Sequence, residues 1–231
     1  MKLRSFPRLL LALSVLSLVS FAVSPVQATE PVIETTIDFE VVPNVTPAPS
    51  FFQLTDAPLN SYLSDQLLNE TGVRFYSEAP NPAALAYVQL GQGHATSGEF
   101  GVATINTEAK IDYSVPLMAS FFVKDNPLLP AVTDIVSISG DLISCCETLT
   151  IEAFDANGLL LATSTTVAGD TPLVIAAPGI HTVRVTEESG TVAWDDFAFG
   201  ALRPVPEPST LALLTLAGLG GTGAIVRKRR Q

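Results

Sequence analysis

Few residues in this chain could carry chemistry, and two of them are adjacent cysteines. Cys145 and Cys146 are the only cysteines in the sequence. In an oxidising compartment they could form a strained vicinal disulfide or pair between chains, and otherwise they remain reduced or partly buried. On a strand, their side chains would point to opposite faces. Their spacing is not that of a metal site, so the pair indicates either a disulfide or two reduced, partly buried thiols.

A short acidic and aromatic segment near residue 195 is the second candidate. If residues 192–199 form a strand, Trp194 and Asp196 share one face, and Asp195 shares the other face with two phenylalanines. An inward carboxylate requires a partner such as a metal ion or an arginine. Trp194 could offer its ring for stacking against a sugar, or it could pack in the core. The segment indicates either a ligand site or an ordinary buried strand.

The sequence lacks the motifs of common catalytic machinery. It contains no Gly-x-Ser-x-Gly, no His-Glu-x-x-His, and no Cys, His and Asn at a supporting spacing. A glycosidase needs two opposed carboxylates, and no pair stands out among the 23 acidic residues. We predict that the protein is not an enzyme, and a secreted hydrolase acting on glycans is the alternative.

Charge is distributed unevenly along the chain. All 23 acidic residues lie between Glu30 and Glu207, whereas seven of the 12 basic residues lie outside that range. Such an acidic segment repels nucleic acid and anionic lipid, so we expect no nucleic-acid partner. It would suit cations such as Ca²⁺, although solubility alone explains an acidic surface. No cofactor is certain, and structural Ca²⁺ is the one candidate.

The hydrophobic pattern between residues 31 and 200 is that of β-strands. Strands are predicted at residues 32–40, 72–76, 86–90, 100–105, 111–115, 118–123, 135–138, 148–154, 159–166, 173–176, 182–186 and 192–199. Residues 155–158, Asp-Ala-Asn-Gly, predict a hairpin turn. One helical stretch is predicted at residues 60–70, where Leu63, Leu67 and Leu68 share a face. The pattern predicts an all-β protein, an antiparallel β-sandwich or jelly roll.

The N-terminus has the pattern of an export signal. Lys2, Arg4 and Arg8 precede an apolar run at residues 9–22, and residues 26–28, Val-Gln-Ala, supply small side chains at a cleavage position. These features predict a signal-peptide helix that is removed to leave Thr29 at the new N-terminus. A retained N-terminal anchor is the alternative.

The C-terminus combines a rigid segment, an apolar run and a basic end. Prolines at positions 204, 206 and 208 hold the chain extended. Residues 211–226 carry no charge and predict a single transmembrane helix, about 24 Å long at 1.5 Å per residue. A basic stop follows and would hold the cytoplasmic end of this helix; it consists of Arg227, Lys228, Arg229 and Arg230. Read alone, this pattern also fits a plain C-terminal anchor.

The tail resembles a known sorting domain. Its motif Val205, Pro206, Glu207, Pro208 and Ser209, followed by the apolar run and the basic end, closely resembles the PEP-CTERM domain of Gram-negative bacteria. The resemblance implies recognition of the Pro-Glu-Pro box by an exosortase-like membrane protease. It implies an intermediate anchored in the inner membrane, and then a cell-surface or extracellular protein. Extracellular polysaccharide is the further partner that it implies.

A second, looser resemblance covers most of the exported region. Residues 37–40 (Ile-Asp-Phe-Glu), 71–75 and 193–200 look like parts of extracellular galactose-binding-like β-sandwiches. In those folds the first and last strands are neighbours, and acidic residues near them often hold a structural Ca²⁺. The resemblance implies that Glu40 and either Asp195 or Asp196 are Ca²⁺ ligands, within a set of 6 to 8 oxygen atoms.

The sequence thus predicts three parts. These are a signal peptide at residues 1–28, an exported β-sandwich at residues 29–202, and a sorting tail at residues 203–231. The exported domain is predicted to be non-catalytic, and its role is either carbohydrate binding or structural.

Overall fold

The computed structural model describes residues 30–48, 56–79, 84–90, 96–112, 114–142, 148–167, 172–188 and 192–205. The strands in these ranges are β1 (Thr35–Ile37), β2 (Tyr62–Leu63), β3 (Val73–Ser77), β4 (Leu85–Gln89), β5 (Phe100–Thr104), β6 (Leu117–Val123), β7 (Asn126–Leu142), β8 (Thr148–Phe154), β9 (Leu160–Val167), β10 (Leu173–Ile180), β11 (Thr182–Glu187), β12 (Val192–Phe199) and β13 (Arg203–Pro204). A 3₁₀ turn, Leu59–Ser61, and one short helix, α1 (Leu68–Thr71), are the helical elements of the described ranges. These named strands pair antiparallel throughout, so the predicted all-β antiparallel class is confirmed.

The strands form two layers that pack face to face. One layer runs β2-β4-β5-β12-β7 with β10 beyond β7 and β1 beside β12, and the other runs β3-β6-β11-β8-β9. Aromatic rings join the layers: Phe75 contacts Phe197 edge-on at 5.0 Å between centroids, and Phe121 lies 5.4 Å from Phe199. All four rings are buried. The core therefore lies between the two sheets, as expected for a β-sandwich.

The alternation along the strands decides which side chains enter this core. In β8, Leu149, Ile151 and Ala153 are buried while their neighbours are half-exposed. The strand β11 repeats the pattern with Val183 and Val185. Because successive side chains on a strand point to opposite faces, the second layer has one apolar face against the core and one polar face toward solvent.

The chain leaves the sandwich along the first half of β7. The strand β13 pairs with β7 so that Arg203 lies opposite Val132 and Pro204 opposite Ala131. The backbone N–H of Val205 then donates to the carbonyl of Pro130 at 3.0 Å. The last described residue is therefore fixed beside the start of β7.

Several local predictions are corrected by the structure. The helix predicted at residues 60–70 is wrong: the segment contains the 3₁₀ turn, β2 and the start of α1, although Leu63, Leu67 and Leu68 are all buried as their shared face suggested. The three leucines are buried against the sheet, and their short spacing fits a turn as well as a helix. No strand forms at residues 111–115 within the described part, where Ile111 makes an isolated bridge to Ile105.

The turn predicted at residues 155–158 is confirmed. The N–H of Asp155 donates to the carbonyl of Leu159, and Gly158 adopts φ of 80°. The Asp155 carboxylate accepts from the N–H groups of Asn157 and Leu159, which explains why this residue type begins the turn.

The predicted terminal helices lie outside the described residues. This applies to the signal-peptide helix and to the transmembrane helix of the tail. In the ranges that the structure does describe, no helix is long and apolar enough to cross a membrane.

Candidate functional site

The outward face of the second layer carries a group of polar and aromatic side chains outside the core. Strand register places Tyr76 opposite Met118, Met118 opposite Arg184, and Arg184 opposite Glu152. A neighbouring row runs through Arg74, Ser120, Thr182 and Phe154. We call these two rows, together with Glu78, the candidate face.

A shallow depression of about 330 Å³ lies on the candidate face. Its lining includes Glu78, Met118, Phe154, His181, Thr182 and Arg184. Met118 and Phe154 are half-exposed, so they offer an apolar floor beside charged groups. A depression of this size holds a small ligand or one or two units of a polymer rather than a protein segment.

Arg184 is the electrostatic centre of the candidate face. Its Nε donates to Glu78 Oε2 at 2.8 Å, and its Nη1 donates to Glu152 Oε2 at 3.0 Å. Burial disfavours the charge of the guanidinium, but the hydrogen bonds with Glu152 and Glu78 outweigh it and raise the pKa of Arg184. The side chain keeps 34% of its surface exposed. It is therefore held in place and still accessible.

A line of hydroxyl groups crosses three strands next to this arginine. Tyr76 Oη lies 3.1 Å from Ser120 Oγ, and Ser120 Oγ lies 2.9 Å from Thr182 Oγ1. At the end of the row, His181 Nδ1 lies 2.8 Å from the carbonyl oxygen of Ala131. Because a carbonyl can only accept, Nδ1 carries the proton. Ser120 is buried, and the half-exposed Tyr76 and Thr182 hydroxyls lie at the two ends of this line.

The arrangement suits a neutral, hydroxyl-rich ligand. A guanidinium and its paired carboxylates present donors and acceptors in fixed directions, and charged partners make such bonds stronger than neutral ones. The half-exposed Tyr76 and Phe154 rings offer flat apolar surface. Sequence reasoning missed this face. The alternating polar positions of β8 and β11 were visible, but nothing in the sequence places Glu78 beside residues 152 and 184.

The segment around Asp195 forms a second, buried polar cluster. Asp195 is fully buried, as its predicted inward orientation required. Its Oδ2 accepts the backbone N–H of Ser97 at 2.8 Å, and its Oδ1 accepts the N–H of Asp196 at 2.8 Å. The Ser97 hydroxyl adds a bond to Oδ2 at 3.2 Å. In the described structure, these N–H and O–H donors hydrogen-bond to the carboxylate for which the sequence predicted a partner.

Burial also changes the acidity of this carboxyl. Desolvation raises the pKa of Asp195 to about 6, and the hydrogen bonds from Ser97 and Asp196 only partly oppose that effect. The carboxylate therefore carries an energetic cost at neutral pH that a nearby cation would reduce.

Glu40 binds the same loop from the other side. Its Oε1 accepts the backbone N–H of Glu99 at 2.9 Å and that of Phe100 at 3.0 Å. Gly98 adopts φ of 63°, and a Cβ added there would lie 2.0 Å from the Glu40 carboxyl carbon. Glycine is therefore required for the loop to close over this carboxylate.

The predicted alternation in β12 fails at a bulge. Register shifts between Asp195 and Ala198, and Asp196 has φ of 45°. As a result, Trp194 joins the same core cluster as Phe197 instead of lying on the opposite face. Its ring is only 2% exposed, so the structure does not offer it as a platform for a sugar.

The predicted Ca²⁺ ligands are only partly brought together. Glu40 and Asp195 both bind the loop at residues 97–100, and Asp196 is half-buried beside them. Among the residues that the structure describes, no group of three or more His, Cys, Asp or Glu side chains is arranged to hold a metal ion. The Ca²⁺ site stays a prediction.

The remaining predicted sites lie mostly outside the described residues. These are Cys145 and Cys146, positions 206–209 of the sorting motif, and the basic stop at residues 227–230. Val205 is the one motif residue that the structure places, at the end of β13.

Comparison with known proteins identifies the tail. Residues 204–230 match the PEP-CTERM protein-sorting motif, so the predicted sorting motif is confirmed. No curated protein matches the chain.

Solved structures give likenesses to the sandwich at low identity. The carbohydrate-binding module TmCBM61, in complex with β-1,4-galactotriose, is 12% identical with a TM-score of 0.29, covering 66% of this chain and 99% of that one. The enzymatically active domain of tailspike protein 4 of bacteriophage CBA120 is 10% identical with a TM-score of 0.28, covering 65% and 21%. The CBM22-1–GH10 modules of Clostridium thermocellum xylanase 10B, complexed with xylohexaose, are 15% identical with a TM-score of 0.23, covering 58% and 26%.

Proposed function

We propose that this protein is exported, anchored temporarily by its tail, cut by an exosortase-like protease, and left at the cell surface to bind neutral extracellular polysaccharide. The PEP-CTERM motif implies export and sorting to the cell surface. The anchored intermediate, the cleavage and the ligand are the parts that we propose.

The observation that carries the ligand proposal is Arg184 held between Glu78 and Glu152 on an accessible face. Sugar hydroxyls can both donate and accept, so they can bond to the guanidinium and to its carboxylates. The apolar face of a sugar ring can pack against Met118 or Phe154 beside them. A neutral polymer is favoured over an anionic one because the segment from residue 30 to residue 207 is strongly acidic.

The ligand proposal is tested by a glycan-array screen of the full-length chain, followed by affinity measurements with Arg184→Gln. The substitution removes the guanidinium donors that would face the ligand and the two charge-assisted hydrogen bonds that hold them in place, so we expect affinity to fall at least about tenfold. Arg203→Gln is the matched control, because Arg203 is also paired with a carboxylate, that of Asp134, but lies outside the candidate face. The glycan affinity of Arg203→Gln should equal that of the wild type.

The same screen separates binding from hydrolysis. Release of reducing ends from a bound glycan would replace the binding proposal with the hydrolase alternative. Equal binding by Arg184→Gln and the wild type, or no glycan binding by the wild type, would show that the candidate face does not have this role.

The sorting proposal is tested with Glu207→Gln in cells. Glutamine has nearly the shape of glutamate but lacks the charge, so the full-length chain should remain in the membrane fraction if the protease reads the acid between two prolines. Glu188→Gln is the control, because Glu188 is an exposed acid in the sandwich. Release of Glu207→Gln at the wild-type rate would rule out recognition of the charge.

A further inference from the structure

The β6–β7 hairpin carries two exposed leucines that the proposed function does not use. Val123 pairs with Asn126, but the next residue of β6, Phe122, pairs with Pro130. The strand β7 thus advances four residues while β6 advances one, so residues 127–129 form a bulge in this pairing. Leu128 is 88% exposed and Leu129 is 41% exposed. We call these two leucines the apolar tip.

The apolar tip lies where the chain leaves the sandwich. Val205 donates its N–H to the carbonyl of Pro130, which follows Leu129 directly. Residues 128 and 130 are separated by about 7 Å of extended chain at most. The apolar tip is therefore next to the point from which the sorting motif departs.

The tail limits how far this point can lie from a membrane. Thr210, just before the apolar run at residues 211–226, lies only five positions after Val205. Fully extended, these five steps of the chain span roughly 17 Å. The polar headgroup region adds about 5 to 7 Å on each side of the hydrocarbon core. An anchored chain therefore keeps its exit point, and the apolar tip, within a short distance of the lipid surface.

We propose that the apolar tip inserts into the lipid interface of the membrane that holds the chain's own tail, and so orients the sandwich for cleavage. This inference rests on the anchored intermediate of the proposed function. Lipid is favoured over a protein partner because the anchor holds the tip at a high effective concentration near the bilayer. The adjacent turn residues, Lys124 and Asp125, are both exposed, so their charges cancel, and the Lys124 ammonium suits the headgroup layer.

The test compares two tryptophan variants of the full-length chain in vesicles of phosphatidylethanolamine, phosphatidylcholine and a dibrominated phosphatidylcholine, which carry no net charge and so do not repel the acidic sandwich. Leu128→Trp places a fluorophore on the apolar tip. Leu59→Trp is the matched control, because Leu59 is 83% exposed beside β2, and three strands separate β2 from β7. The native Trp194 is buried in both proteins and adds the same background.

We expect bromine to quench Leu128→Trp at least twofold more strongly than Leu59→Trp. If the protein floats with the vesicles but the two variants are quenched equally, the tip proposal is overturned and the anchored intermediate stands. Failure of the full-length chain to float with vesicles would overturn the anchored intermediate and the tip proposal together. Equal quenching combined with loss of processing in Leu128→Asp would instead assign the apolar tip to the protease.

Discussion

Replacing Asp195 with asparagine should weaken the dependence of folding stability on pH. The carboxyl is fully buried, and desolvation raises its pKa to about 6 from an ordinary value of 3.8. Because the folded-state pKa lies above the unfolded one, the folded state takes up the proton first as pH falls. The stabilisation from this proton is complete below about pH 4 and is lost as pH rises through about 6.

The size of the effect follows from these two pKa values. Their full separation corresponds to roughly 3 kcal/mol, since each factor of ten in proton affinity is about 1.4 kcal/mol. Between pH 7.5 and pH 5.0 only part of the titration occurs, and the gain in the free energy of unfolding is roughly 1 kcal/mol. Asparagine cannot take up this proton, so the variant should lack that gain.

The absolute stability of Asp195→Asn is a poorer measure than its pH dependence. At neutral pH the amide removes a buried charge, which stabilises the variant. Its NH₂ group, however, must face one of the two N–H donors, from Ser97 or Asp196, that the carboxylate now accepts. Losing one such bond costs about 1 to 3 kcal/mol, so the two effects are of similar size.

The assay is urea unfolding of both proteins at pH 7.5 and pH 5.0, with chelator present. The difference between the two pH values should be larger for the wild type by roughly 1 kcal/mol. Asp196→Asn is the control, because its side chain is half-exposed and the Asp195 titration should persist. Identical pH dependence in wild type and Asp195→Asn would refute the assignment of a raised pKa to this carboxyl.

Three further predictions concern the same cluster and the cysteines. Gly98→Ala should lower the free energy of unfolding by roughly 1 to 3 kcal/mol, because the new Cβ meets the Glu40 carboxyl. A free energy of unfolding, measured in urea, within about 0.5 kcal/mol of that of the wild type would contradict the loop geometry. Chelation with EDTA should lower the melting temperature if Glu40 and Asp195 hold Ca²⁺, and an unchanged melt excludes that site. Non-reducing mass spectrometry should show a loss of two hydrogen atoms if Cys145 and Cys146 are bridged, whereas two alkylatable thiols exclude the bridge.

The parts of the fold that the sequence predicted depend on short-range patterns. Alternation located most of the strands, and the Asp-Ala-Asn-Gly turn was readable because its hydrogen bonds stay within five residues. The sequence also predicted that Asp195 is buried, although the bulge interrupts the alternation on which that prediction rested. The bulge at Asp196 could not be predicted, because a positive φ at an ordinary residue depends on contacts made by the rest of the fold.

The candidate site could not be predicted because the residues that contact each other there are far apart in the sequence. Arg184 meets Glu78 across 106 residues and Glu152 across 32. The loop at residues 97–100 reaches Glu40 and Asp195 from positions about 59 and 98 residues away. The order of the strands in the sheets brings both sets of residues together, and no local sequence pattern in this chain predicts that order. The sorting motif, in contrast, is a contiguous sequence signal and is recognisable from sequence alone.

The exit of the chain and the candidate face have a fixed relation because both depend on β6. Phe122 pairs with Pro130 at the exit, and Ser120, two residues earlier, pairs with Thr182 in the row that ends at Phe154. That row therefore lies about 7 Å along the strand from the exit, and the Arg184 row lies about 7 Å further.

If the apolar tip enters the lipid interface, the Phe154 end of the candidate face lies nearer the membrane than Arg184. A long polysaccharide would then meet the bilayer at one end of the depression until the tail is cut. Cleavage should thus increase affinity for long glycans more than for short ones.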